Sequence, residues 1–204
     1  MDTRNSRFNR VLLIVLVALY VITLAAFTYA NWQVEPQHVL WMHAASALIL
    51  SIPLVLLYGG IYVLVIAWRE HASLGQVSPP LARVIHWAPR LAAILIIFFV
   101  SLFSLDVFEM GATPLELLGG FIMHSLPAIV MLVLLIFAWK RPAVGFVAFL
   151  IAAALFAILF VRSIYSLPNL LLFVFPILLV AFLFYADWKW LAPPPPDQAD
   201  TAAV

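Results

Sequence analysis

The chain has 204 residues, of which 67% are hydrophobic and 9% charged, with a mean hydropathy of +1.16 and a net charge of +1. So little polar surface cannot coat a soluble globule of this size, and basic residues that never form a compact patch exclude a nucleic-acid-binding domain. Cysteine is absent, which excludes disulfides, CxxC zinc or redox motifs and c-type haem attachment.

Charged residues divide the sequence into six long uncharged runs, 11–34, 36–68, 91–105, 117–139, 142–161 and 163–186. A helix rises about 1.5 Å per residue and the hydrocarbon layer is about 30 Å thick, so a span needs roughly 20 residues. Five runs reach that length, and the third, with 15, falls short. The first follows Arg4, Arg7 and Arg10 and is too long for a signal-peptide core, which predicts an uncleaved span. The second, interrupted by Pro53 and Gly59-Gly60, exceeds the layer and is expected to tilt, kink or begin as an interfacial turn.

Residues 71–90 are expected to form a connection. Within it, LARVIHWA places Leu81, Val84, Ile85 and Ala88 at helical spacing, which predicts a short interfacial helix feeding span 3. TPLE at 113–116 is a capping box with proline at the first helical position, so span 4 is expected to start near 114. Trp68-Arg69, Trp139-Lys140 and Trp188-Lys189 close spans 2, 4 and 6, each pairing an aromatic anchor with a snorkelling cation. The proline-rich residues 191–204 are expected to be disordered.

The fold class is therefore an all-α polytopic membrane protein of six transmembrane helices. Its expected organisation is an N-terminal two-helix hairpin over 1–70, the connection 71–90, a four-helix unit over 91–190 and the tail 191–204. Nine of the ten Lys and Arg lie on alternating connections, with Arg162 alone on the other side. By the positive-inside rule both termini are expected to be cytoplasmic, in a prokaryotic inner membrane.

Ionisable residues inside or beside a span are the candidate site. Asp106 lies 16 residues beyond Arg90 and His124 lies 16 before Lys140, so each is expected about 24 Å above the basic edge. Spans 3 and 4 are joined by a short connection, which allows the two to face one another. Glu109 and Arg162 complete a candidate intramembrane polar cluster of Asp106, Glu109, His124 and Arg162. One reading makes Asp106 and His124 a protonatable or cation-holding pair. The plainer reading ends span 3 at Asp106, with the acids among headgroups and His124 bonded to Asp106 or to a backbone carbonyl.

Other chemistry has little support. A bis-imidazole haem site from His43 and His124 needs two rings at one depth, and His43 counts as lying outside the layer unless span 2 bends. Asp106, Glu109 and His124 lack the HxxxH or ExxH spacing of a metal site. Ser101, Ser104 and Ser125 have no GxSxG setting, and no glycine-rich phosphate loop is present, so neither an enzyme nor a cofactor is expected.

HWAPRLAAILIIFFVSLFSLDVFE followed by LGGFIMHSLPAIVMLVLLIFAWKRPAVGFVAF resembles a family of small uncharacterised bacterial and archaeal multi-pass membrane proteins, usually of four helices, over about residues 81–190. The matching positions are Trp87, Arg90, Asp106, Phe108, His124, Pro127, Trp139 and Lys140. The resemblance implies a four-span unit and carries no activity. The expected function is a non-enzymatic accessory, assembly or scaffold component, with the lipid bilayer and other membrane protein subunits as partners and no nucleic acid. The rival is a small-solute or proton-linked transporter using Asp106 and His124, and a redox subunit holding haem or quinone comes third. Transport ranks lower because spans 3 to 6 supply almost nothing ionisable inward of Asp106.

Overall fold

A computed structural model of the chain describes residues 3–34, 39–109, 113–161 and 166–191. The elements in order are α1 (Thr3–Val34), α2 (Leu40–Leu74), α3 (Pro79–Leu102), a 3-10 turn (Asp106–Glu109), α4 (Pro114–Ala138) and α5 (Pro142–Phe160). A sixth span is built from α6 (Ser166–Asn169), a π-helical turn (Leu170–Val174) and α7 (Phe175–Trp190). Among the described residues there is no strand, and six helices are long and apolar enough to cross a membrane. The protein is an all-α, multi-pass membrane protein.

Local sequence explains where these helices begin and break. Proline stands in the first turn of α3, α4 and α5, where its missing N–H costs nothing. Glu116 accepts the backbone N–H of Thr113 at 2.9 Å, as the TPLE signature predicts, and also the Thr113 hydroxyl at 2.7 Å. Gly75 ends α2 in the left-handed conformation at φ 69°, its N–H donating to the His71 carbonyl. The π-turn ends two residues before Pro176. Proline cannot supply the N–H that would continue the i−4 ladder, and the Phe175 N–H reaches back five residues to the Leu170 carbonyl.

The connection expected over 71–90 is mostly helix. α2 runs to Leu74 and α3 starts at Pro79, leaving residues 75–78 as the turn. The short third run is lengthened at its start, because the amphipathic segment expected as a separate interfacial helix is the first part of α3 itself. Pro89 does not break it, since membrane helices tolerate proline where neighbours satisfy the freed groups.

Contacts between helix ends define an up-and-down bundle with two faces. Arg69 near the end of α2 lies over the Phe8 ring near the start of α1, 3.6 Å from its centroid. His71 stacks on Trp190 at the end of α7, 5.6 Å between centroids. Trp87 in the early part of α3 meets Trp139 after α4, edge to face at 6.4 Å. These ends form one face, here called the basic face because Arg7, Arg10, Arg69, Arg83, Lys140, Arg141 and Lys189 belong to it. At the opposite face Trp32 near the end of α1 stacks on His43 at the start of α2, 4.4 Å apart.

The sixth span is the centre of the bundle, packed by α2, α3 and α5. More than half of its apolar window is buried, against almost none of α1, which lies at the edge against α2. Phe173 gathers the rings of Phe99, Phe103, Phe156 and Phe160 around the π-turn. Close approach of α5 to α7 depends on Gly145, where an added Cβ would stand 2.6 Å from the Phe184 ring.

Candidate functional site

Among the described residues the buried charges are Arg90 and Asp187, each 3% exposed at the side chain, and they pair with one another. Arg90 stands in α3, one turn after His86, and Asp187 in the last turn of α7. Arg90 Nη1 donates to Asp187 Oδ2 at 2.8 Å and also to the His86 carbonyl. Its Nη2 and Nε both donate to the Trp139 carbonyl just beyond α4, at 2.9 and 3.3 Å. His86 Nδ1 donates to the second carboxylate oxygen, Asp187 Oδ1, at 3.2 Å, while half of the His86 side chain stays exposed.

Electrostatics explain why these groups tolerate burial. The Trp139 carbonyl is one of the unpaired acceptors at a helix C-terminus, where the dipole favours a cation. Asp187 suffers the reverse, since a carboxylate near the end of α7 faces the negative pole, and the guanidinium beside it offsets that cost. A guanidinium suits this place because its planar fork serves the carboxylate and the carbonyl at once. The result is a clasp that joins the middle of α3 to the C-terminal ends of α4 and α7. Half-exposed Trp87, Trp139 and Trp188 surround it, the position of an interfacial aromatic belt.

The residues singled out from sequence are arranged differently. Asp106 is exposed in the 3-10 turn. His124 is exposed on α4, where its Nδ1 donates to the carbonyl of Gly120 at 2.9 Å, four residues back. No ion pair joins Asp106 and His124 among the described residues. α3 ends at Leu102, where Ser101 and Ser104 hydroxyls turn back onto carbonyls three residues earlier. The chain then folds beside α4, with Val107 against Gly120 and Phe108 against Phe121. Counting a full helical rise from Arg90 to Asp106 therefore misplaces the acid, since residues 103–109 do not continue the helix. Glu109 belongs to the same turn, and the candidate residue Arg162 lies outside the described residues.

His43 packs on Trp32, while His124 is tied to its own helix. No group of three metal-ligating side chains occurs among the described residues.

A family model described as "Domain of unknown function (DUF7670)" matches residues 79–193, more than half of the chain. The chain belongs to this family. The DUF7670 region begins at the start of α3 and runs past the end of α7, so it contains every member of the clasp. α1 and α2 lie outside it and attach to it through the packing of α2 on α3 and α7. No curated protein and no solved structure matches the chain.

Sequence reasoning missed Asp187 and took Arg90 for a boundary cation. Both stand at the ends of uncharged runs, where a charge ordinarily marks the edge of a span. Two signals were available. Asp187 directly ends the uncharged run 163–186 as Arg90 directly precedes the run 91–105, and HWAPR and ADWKW bring opposite charges to the same face of the bundle from different spans.

Proposed function

We propose that this DUF7670 protein is a non-enzymatic accessory, assembly or scaffold component of a prokaryotic cytoplasmic membrane, with the basic face and both termini on the cytoplasmic side. The observation that carries this reading is the closed state of the clasp. The guanidinium and both carboxylate oxygens of its buried pair are committed to other groups of the bundle, so the pair has the character of a fastener between helices. Inward from it the core passes through Ile96, Phe99, Met131, Phe149, Ile177 and Phe184, which is a packed apolar interior and an unsuitable path for an ion. The orientation follows from the cations of the basic face under the positive-inside rule.

The test has two arms. Gentle extraction from the native membrane is expected to recover the chain with a membrane protein partner in fixed stoichiometry, in a complex that survives a second separation. Proteoliposomes of the purified chain are expected to carry no proton or solute flux above empty vesicles. A specific flux that Asp106→Asn abolishes, with the fold intact, would overturn the reading in favour of transport.

A further inference from the structure

We propose that the seam between α3 and the α4–α5 turn, at the basic face, binds the headgroup of an anionic phospholipid. Three observations converge there. Arg83 and His86 stand three residues apart, and therefore on one side of α3, and both are exposed. Trp87, one turn beyond Arg83, meets Trp139 edge to face at 6.4 Å, which brings the exposed Lys140 and Arg141 alongside the same seam. The described acids of this face are occupied: Glu70 accepts the Ser78 N–H at 2.9 Å, and Asp187 is committed to Arg90 and His86. Among the described residues three cations, Arg83, Lys140 and Arg141, thus stand at the seam with no ion pair to an acid.

The arrangement selects a lipid over a free anion. Trp87 and Trp139 are 47% and 40% exposed, the amphipathic rings that sit at headgroup level. Beneath them, toward the middle of the bundle, α3 exposes Leu91 and Leu95 and α4 exposes Ile136 and Phe137. Cations above, tryptophans between and an apolar wall below match the phosphate, glycerol and acyl portions of one phospholipid. His86 adds a fixed group at the rim: with Nδ1–H donated to Asp187, its Nε2 is an acceptor that suits a hydroxyl of the glycerol headgroup. This inference deepens the proposed orientation only in taking the basic face to meet an anionic leaflet.

Native mass spectrometry of the purified full chain tests it, with phosphatidylglycerol and phosphatidylcholine offered at equal concentration. One phosphatidylglycerol is expected to be retained in preference. A juxtamembrane cation is worth about fivefold in affinity, so Arg83→Gln with Lys140→Gln lowers that retention about 25-fold. Both side chains are exposed, and thermal stability is expected to stay unchanged. Arg7→Gln with Arg10→Gln removes two cations of the same face from α1, which packs against α2, and leaves retention as it was. Equal retention of the two lipids overturns the proposal, as does an equal loss in the α1 variant, which reduces the effect to general charge. Displacement of the lipid by millimolar inorganic phosphate also overturns it, by assigning the seam to a free anion. Binding is read on the purified chain, so its failure leaves the proposed orientation to its own labelling test.

Discussion

Replacing Asp187 by alanine leaves the Arg90 guanidinium buried at 3% exposure with its carboxylate partner gone. Two of its nitrogens keep the Trp139 carbonyl, so the cation retains part of its solvation. Breaking one side of a buried pair costs about 3–5 kcal/mol, and the remaining carbonyl bonds hold the expected loss toward 3. Arg90→Met costs a similar amount for a different reason: Asp187 is stranded near the negative end of α7, with His86 as its one remaining partner among the described residues. The double variant Arg90→Met with Asp187→Leu removes both stranded charges, and what remains short of partners is the Trp139 carbonyl and the half-exposed His86, whose ring water can reach. Its loss is therefore expected to be no greater than that of either single variant, a strongly non-additive cycle. Reversible unfolding of the purified chain in mixed micelles, followed by tryptophan fluorescence, measures all three. Additive single losses of under about 1 kcal/mol each would refute the claim that this pair fastens α3 to α4 and α7.

Other consequences are more local. Gly145→Ala pushes a methyl group to 2.6 Å from the rigid, fully buried Phe184 ring and is expected to cost about 1–3 kcal/mol, whereas Gly119→Ala enters open space and is neutral or slightly stabilising in the same unfolding assay. Phe173→Ala, which removes the ring shared by Phe99, Phe103, Phe156 and Phe160, is expected to lower stability by about 3–5 kcal/mol and to broaden the thermal transition. Asp106→Asn and His124→Ala change exposed side chains and are expected to stay within about 0.5 kcal/mol of the parent; a loss of several would mean that the two residues share a buried contact.

Much of this architecture was legible in the sequence, because the membrane imposes a length requirement that uncharged runs report directly. The six spans and the gathering of cations at one end follow from such counting, and the start of α4 at Pro114 follows from its capping box. Two features resisted it. The start of α3 at Pro79 was hidden by Arg83, His86 and Arg90, which read as a polar connection although their apolar neighbours already had helical spacing. The clasp was hidden for a related reason, since a single charge at the end of a run looks the same whether it snorkels to water or turns inward to a partner. Which of the two occurs depends on what the neighbouring spans present at that height. For Arg90 that is a free carbonyl after α4 and a carboxylate on α7, groups 49 and 97 residues away in the chain. The emphasis on Asp106 and His124 had the opposite origin: both stand out in composition, yet Asp106 is exposed in the turn after α3 and His124 is exposed on α4.

Orientation is the most direct test of the whole account, and the absence of cysteine makes it clean. Single substitutions Gln76→Cys at the basic face and Leu115→Cys at the opposite one, both at exposed positions, are treated in intact cells with a membrane-impermeant maleimide. Labelling of the Leu115→Cys protein alone, with Gln76→Cys reacting only after the membrane is opened, is the predicted result. Labelling of both from outside, or of Gln76→Cys alone, would contradict the account.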